Sequence, residues 1–161
     1  HVFSRQAEDS AIRRHSIEQH LEPALWGDHL TQHYQPLVLA DGSRIVAFEA
    51  LARWQNPVLG TVSPGEFVPV AVRSPRLSRL LTDWSLRSVC QRAPHWPLQP
   101  TDAPLRMGVN IPASQFYQQG FVDRVMGILE EYQLAPERLT LELTVDVDTY
   151  LRYREVYHAS E

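Results

Sequence analysis

Hydrophobic and polar positions recur along this chain with two different periods. Ile12, Ile17, Leu21, Leu25 and Trp26 punctuate a charged stretch over residues 5–26. That spacing predicts an amphipathic helix, kinked or broken near Pro23. Residues 33–39 (HYQPLVL) read as a short strand, Asp41-Gly42 as a turn signal, and residues 44–54 (RIVAFEALARW) as a longer strand. A hairpin is the natural local pairing of the two. Residues 55–63 carry loop chemistry, with Asn56-Pro57 and Gly60.

Two helix starts follow. Ser63, Pro64 and Glu66 supply a cap, a proline at the first position and a capping-box glutamate, and Ser74-Pro75 repeats the cap and the proline. The second helix carries Leu77, Leu80, Leu81, Trp84 and Val89 on one side and Arg76, Arg79 and Arg87 on the other. Residues 94–104 are proline-rich loop, 106–111 an apolar strand, and 114–132 a helix with Phe121, Val125, Ile128, Leu129 and Tyr132 on one side. Pro136 and Glu137 mark a turn before an alternating strand over 139–145, and residues 146–161 are polar with some helical character. After the hairpin, strand and helix alternate, which predicts an α/β fold with a parallel sheet.

Composition narrows the field of functions. With 161 residues the chain is about one domain. No apolar run approaches the ~20 residues of a membrane helix, so no membrane insertion of this segment is expected. The net charge of -4 argues against a general binder of DNA or anionic membrane. One cysteine, Cys90, excludes an internal disulfide framework and suits a reducing compartment. All 15 basic residues are arginine, so no mechanism that needs a lysine can be complete within these residues. The opening residue is His1 rather than Met, and the chain is expected to be part of something longer.

The strand over 44–54 holds the most informative chemistry. Ile45, Ala47, Glu49, Leu51 and Arg53 alternate onto one face and Val46, Phe48, Ala50, Ala52 and Trp54 onto the other. Two largely apolar faces imply cover on both sides, and a carboxylate so placed must be paired, protonated or metal-bound. A structural Glu49–Arg53 ion pair is the simplest reading. Asn110 ends an apolar strand, and Glu142 shares a face with Thr140, Thr144 and Asp146. Each has an ordinary explanation as well, a turn former before Pro112 and a polar strand face. In a parallel sheet, however, both approach the carboxyl edge where α/β folds bind ligands. Glu49, Asn110 and Glu142 would then present three oxygens of the kind that Mg²⁺ or Mn²⁺ prefers.

Four ordered segments carry a resemblance. HYQPLVLADGSRIVAFEALARW, SPGEFVPVA, VNIPASQF and LTLELTVD resemble successive signatures of EAL domains, the phosphodiesterases specific for cyclic di-GMP. The resemblance covers about residues 30–146. It implies a (βα)8 barrel whose first strand is antiparallel to the rest, and hydrolysis of cyclic di-GMP to linear pGpG. Glu49, Asn110 and Glu142 match the family's metal-ligand positions, with two Mg²⁺ or Mn²⁺ ions in a complete site. Gln35, Leu51 and Arg53 match positions near the substrate, where a guanidinium suits a phosphate oxygen. On this reading residues 1–28 are a linker helix, leading in from an upstream GGDEF or sensor domain. Residues 29–161 are the N-terminal portion of the barrel, since the complete fold takes about 250 residues.

The family's paired aspartates, lysine and later glutamate are not among these residues, so no catalytic set is complete here. An open half-barrel would invite homodimerisation. A cytoplasmic setting follows from the same resemblance. Val145, Pro112, Val72 and Asn56 depart from the family pattern, with Asp146 or Asp148 as substitutes for the glutamate that Val145 replaces. These departures support an alternative reading, a catalytically degenerate domain acting as a cyclic di-GMP receptor or a partner-binding module.

Overall fold

The computed structural model describes residues 2–96 and 105–144. Its elements run α1 (Val2–Trp26), β1 (Leu30–Val38), β2 (Ile45–Asn56), β3 (Gly60–Val62), α2 (Pro64–Arg73), α3 (Pro75–Arg92), β4 (Arg106–Pro112), α4 (Ala113–Phe116), α5 (Phe121–Glu131) and β5 (Leu139–Thr144). They form a mixed α/β unit around a five-stranded sheet in the order β1-β2-β4-β5, with β3 beside β2. β1 is antiparallel to β2, while β2–β4 and β4–β5 are parallel. The reversed first strand and the parallel ones are as predicted, while the short β3 is a further strand antiparallel to β2. The departures at Val145, Asp146 and Asp148, the polar stretch 146–161 and most of the loop 94–104 lie outside the described residues.

Alternation along the strands sorts the sheet into two faces. Ala50, Met107, Val109 and Ile111 point toward the helices and are buried with Leu86, Val89, Phe121, Val125 and Ile128 of α3 and α5. A second cluster joins Leu30, Trp54 and Val62 to Phe67, Ala71, Leu77 and Leu81 of α2 and α3. It also takes in Ile17, Leu21, Ala24 and Leu25, so the C-terminal half of α1 is part of the core. The opposite sheet face carries Glu49, Gly108, Asn110 and Glu142. It is less covered than the apolar pattern of β2 implies, because β2 residues 45–49 are only half-buried.

Local chemistry sets the helix ends. Ser63 donates its backbone N–H and its hydroxyl to Glu66 Oε2, both at 2.9 Å, and Ser74 Oγ accepts from the Leu77 amide at 3.3 Å. A proline follows each cap, where a missing amide costs nothing. The Ser63 amide first, then its hydroxyl, then Arg13 hold the Glu66 carboxyl below the usual range.

Three local expectations are corrected. α1 is not broken at Pro23, because that residue lies in the final turn and forfeits one backbone bond only. Residues 55–63 are not all loop. Asn56 Oδ1 accepts from the Val58 and Leu59 amides at 2.8 and 2.9 Å, and the tightened turn lets Gly60–Val62 pair back on β2. The helix expected over 114–132 is two helices, separated by a turn in which Gly120 takes φ +78°. The arginine-rich face of α3 is a solvated one, with Arg76 paired to Glu22, Arg79 to Asp83 and Arg87 to Glu131.

Cys90 packs against the sheet with no exposed surface, and burial pushes its thiol up to about 11. A thiol reagent at pH 8 should therefore leave the native protein unmodified and react fully once denaturant is added. Rapid native labelling would show that α3 does not seal this part of the core.

Candidate functional site

The parallel ladders bring the predicted oxygens together. Glu49 stands opposite Gly108, and Asn110 stands opposite Glu142. Asn110 Nδ2 donates to Glu49 Oε1 at 2.8 Å, and Thr144 Oγ1 donates to Asn110 Oδ1 at 3.3 Å. The amide is thus held from both ends, by β2 and by β5. Its Oδ1 keeps a second lone pair beyond the one that Thr144 engages.

Gly108 allows the third group to join. β2 and β5 both flank β4 and so lie roughly two strand spacings, about 9.6 Å, apart. The Glu142 carboxylate reaches back across β4, and its Cδ lies 3.2 Å from where a Cβ on Gly108 would stand. An isolated glycine in an apolar strand is a signal of close approach, and the run Arg106-Met107-Gly108-Val109-Asn110 carried that signal. Burial, then repulsion from Glu49, raises the Glu142 carboxyl above its usual range. The two carboxylates therefore sense one another across the glycine.

Arg53 does not pair with Glu49. Its Nη1 donates to the Ala52 carbonyl at 2.8 Å, while Glu49 takes the Asn110 amide. Leu51, Arg53, Asn110 and Thr144 line one cavity of about 980 Å³, whose far wall is α2 through Pro64, Phe67, Val68 and Pro69. Gln35 stands opposite Glu49 on β1 and is exposed. From β1 the cavity takes Gln32 instead. Gln32 had no signature in the sequence, and SPGEFVPVA was legible as a helix start and a family segment but not as a cavity wall, because that role depends on how the helix sits over the sheet.

Among the described residues no three His, Cys, Asp or Glu side chains gather as a metal-binding group. The set here is two carboxylates and one amide. It fits a hard divalent cation on two observations: the burial and the Glu49 charge that raise Glu142, and the glycine cradle that lets its carboxylate lie over β4.

A pH dependence follows. A carboxyl raised above its unfolded value contributes stability that is complete below the unfolded pKa and lost as pH rises through the folded one. Without divalent cations, Glu142→Gln should therefore melt higher than the parent at pH 7, and the gap should close toward pH 4. A gap that widens on acidification would show that the carboxylate is favoured in its ionised form.

Comparison with known proteins gives the arrangement its family. The family profile described as EAL domain matches residues 18–159. NbdA of Pseudomonas aeruginosa, a cyclic di-GMP phosphodiesterase, is 38% identical over 149 residues, 92% of this chain and 19% of its own length. MucR of the same organism, a bifunctional diguanylate cyclase/cyclic di-GMP phosphodiesterase, is 35% identical over 142 residues, 88% of this chain and 20% of its own length. The solved PaMucR phosphodiesterase in complex with c-di-GMP superposes with a TM-score of 0.73 at 33% identity, over 88% of this chain and 56% of that one. This chain thus spans about a fifth of the length of these curated relatives and about half of the solved phosphodiesterase. With the profile matched over most of its length, the chain belongs to the EAL domain family.

Proposed function

We propose that this chain supplies one side of a cyclic di-GMP phosphodiesterase centre. The observation that carries the reading is the convergence of Glu49, Asn110 and Glu142 from three strands onto one sheet face, beside a cavity lined by Arg53. Glu49, Asn110 Oδ1 and Glu142 would hold Mg²⁺ or Mn²⁺. Bound there, the cation supplies Lewis-acid activation of water and neutralises phosphoryl charge.

The remaining work belongs to the chain's own side chains. The Asn110 amide turns its Nδ2 to Glu49 and its Oδ1 to Thr144, so its oxygen would share a cation with Glu49 once the amide swings away from that carboxylate. Arg53 has donors beyond the one spent on Ala52, and these offer a forked, charged grip on a phosphate oxygen. Leu51 gives the nucleotide an apolar contact at the same wall, and Gln35 offers an amide beside Glu49. In this proposal residues 1–28 lead in from an upstream GGDEF or sensor module, residues 29–161 belong to the barrel, and the domain works in the cytoplasm. No described helix is long and apolar enough to cross a membrane.

Val72 favours a second reading. It lines the same cavity at a position where the family pattern carries a glutamate, which suits a receptor that holds the nucleotide without cleaving it. Incubation of the complete domain with cyclic di-GMP and Mg²⁺ separates the two: pGpG formation supports the enzyme, and binding without turnover supports the receptor.

Metal titration by calorimetry tests the ligand set. Glu49→Gln and Glu142→Gln should each weaken Mn²⁺ binding by at least about tenfold, a loss of about 1.4 kcal/mol. Unchanged affinity in both variants would reject the set. Arg53→Ala should leave Mn²⁺ affinity intact and weaken cyclic di-GMP by roughly tenfold or more, in line with a lost charged hydrogen bond. Equal nucleotide affinity would remove Arg53 from the site.

A further inference from the structure

Helix α1 is fastened to the cavity wall by one side chain. Arg13 Nη1 donates to the Leu59 carbonyl at 3.0 Å, in the turn between β2 and β3. Its Nε donates to Glu66 Oε1 at 3.2 Å. Glu66 Oε2 is already engaged by the Ser63 amide and hydroxyl, so one guanidinium closes a ring of polar contacts around the first turn of α2. That turn contributes Pro64 and Gly65 to the cavity lining, and the next residues contribute Phe67 and Val68.

The contact is not a loose surface pair. The Arg13 and Glu66 side chains are 36% and 39% exposed, and Ile17 and Leu21, one and two turns further along α1, are fully packed beside α2. A second tie, Glu22 to Arg76, holds the same helix to α3 and touches nothing in the cavity wall.

We infer that Arg13 is a positioning residue for the nucleotide cavity: through Glu66 and the Leu59 carbonyl it sets the first turn of α2, and with it one wall of the cavity that Leu51 and Arg53 also line. The inference rests on the cyclic di-GMP reading above and adds a route by which α1 acts on that site. A fork that meets a carboxylate and a carbonyl at once needs the planar guanidinium, so lysine should replace it only in part.

The test compares Arg13→Met, Arg13→Lys and, as a control for helix docking, Glu22→Gln, all in the full chain. Hydrogen exchange reads the Glu66 and Phe67 amides, both of which donate to the Ser63 carbonyl. Calorimetry with cyclic di-GMP and Mg²⁺ reads the cavity. Arg13→Met should speed exchange at those two amides by threefold or more and raise Kd roughly two- to fivefold, the range open to a partly exposed ion pair. Arg13→Lys should fall between, and Glu22→Gln should change neither reading. Unaltered exchange in Arg13→Met overturns the inference. Faster exchange with an unchanged Kd also overturns it, by reducing Arg13 to a structural tie. If the parent chain binds no cyclic di-GMP, the nucleotide reading fails, while the exchange comparison still decides whether Arg13 sets the turn.

Discussion

Two carboxylates held on one sheet face are the constraint around which this structure is organised. Glu49 and Glu142 come from strands that are not neighbours, and β4 lies between them. They influence one another only because β4 presents Gly108 at the crossing point. Like charges in partial burial are unfavourable without a counter-charge. The described residues meet that cost in two ways. Asn110 donates to Glu49, and the Glu142 carboxyl is shifted toward its neutral form. Neither measure places a cation between the oxygens. The arginine on the same strand face, Arg53, is turned to a backbone carbonyl instead. On the proposed reading a divalent ion would supply the counter-charge for both carboxylates.

The apolar side of the sheet makes this arrangement affordable in structural terms. Met107, Val109 and Ile111 of β4 are buried under α3 and α5, which fixes the strand that carries Asn110 and Gly108. Their alternates necessarily point the other way, so packing behind the sheet sets the register of chemistry in front of it. A one-residue slip of β4 would carry Asn110 into the core and bring an isoleucine or valine to the site face. Specificity of register is thus enforced by hydrophobic burial rather than by the polar groups themselves.

Much of this was legible in the residues, for identifiable reasons. Alternation placed Glu49 and Arg53 on one face and Glu142 with Thr140 and Thr144. The turn signal at Asp41-Gly42 set the antiparallel pair, and Ser63, Ser74 and their prolines marked two helix starts. What escaped depends on contacts distant in sequence or on single backbone angles. The stripe Ile17, Leu21, Leu25 announces an apolar face, yet nothing local says that α2 and α3 cover it. Gly120 sits in a run otherwise fit for one helix, and its left-handed φ closes the turn that divides α4 from α5. The Glu49–Arg53 pair was reasonable at two-residue spacing, but a stronger competitor for Glu49 arrives from β4, 61 positions away. Sequence spacing cannot rank a local partner against a distant one.

Unequal strand lengths then divide the labour along β2. Its ladder with β4 ends at Ala50↔Val109, while β2 itself continues to Asn56 against β1 and β3. Glu49 lies inside that ladder, where backbone bonds on both sides hold it in place. Leu51 and Arg53 lie beyond the last rung, where the strands part and the cavity opens. A group that must meet a metal at fixed distance gains from the first position, because ligand geometry tolerates little error. A group that must follow a flexible anion gains from the second. On the proposed reading, the Glu-Ala-Leu-Ala-Arg run would carry a metal ligand and phosphate-facing groups on one face, and the point where β4 leaves β2 separates them.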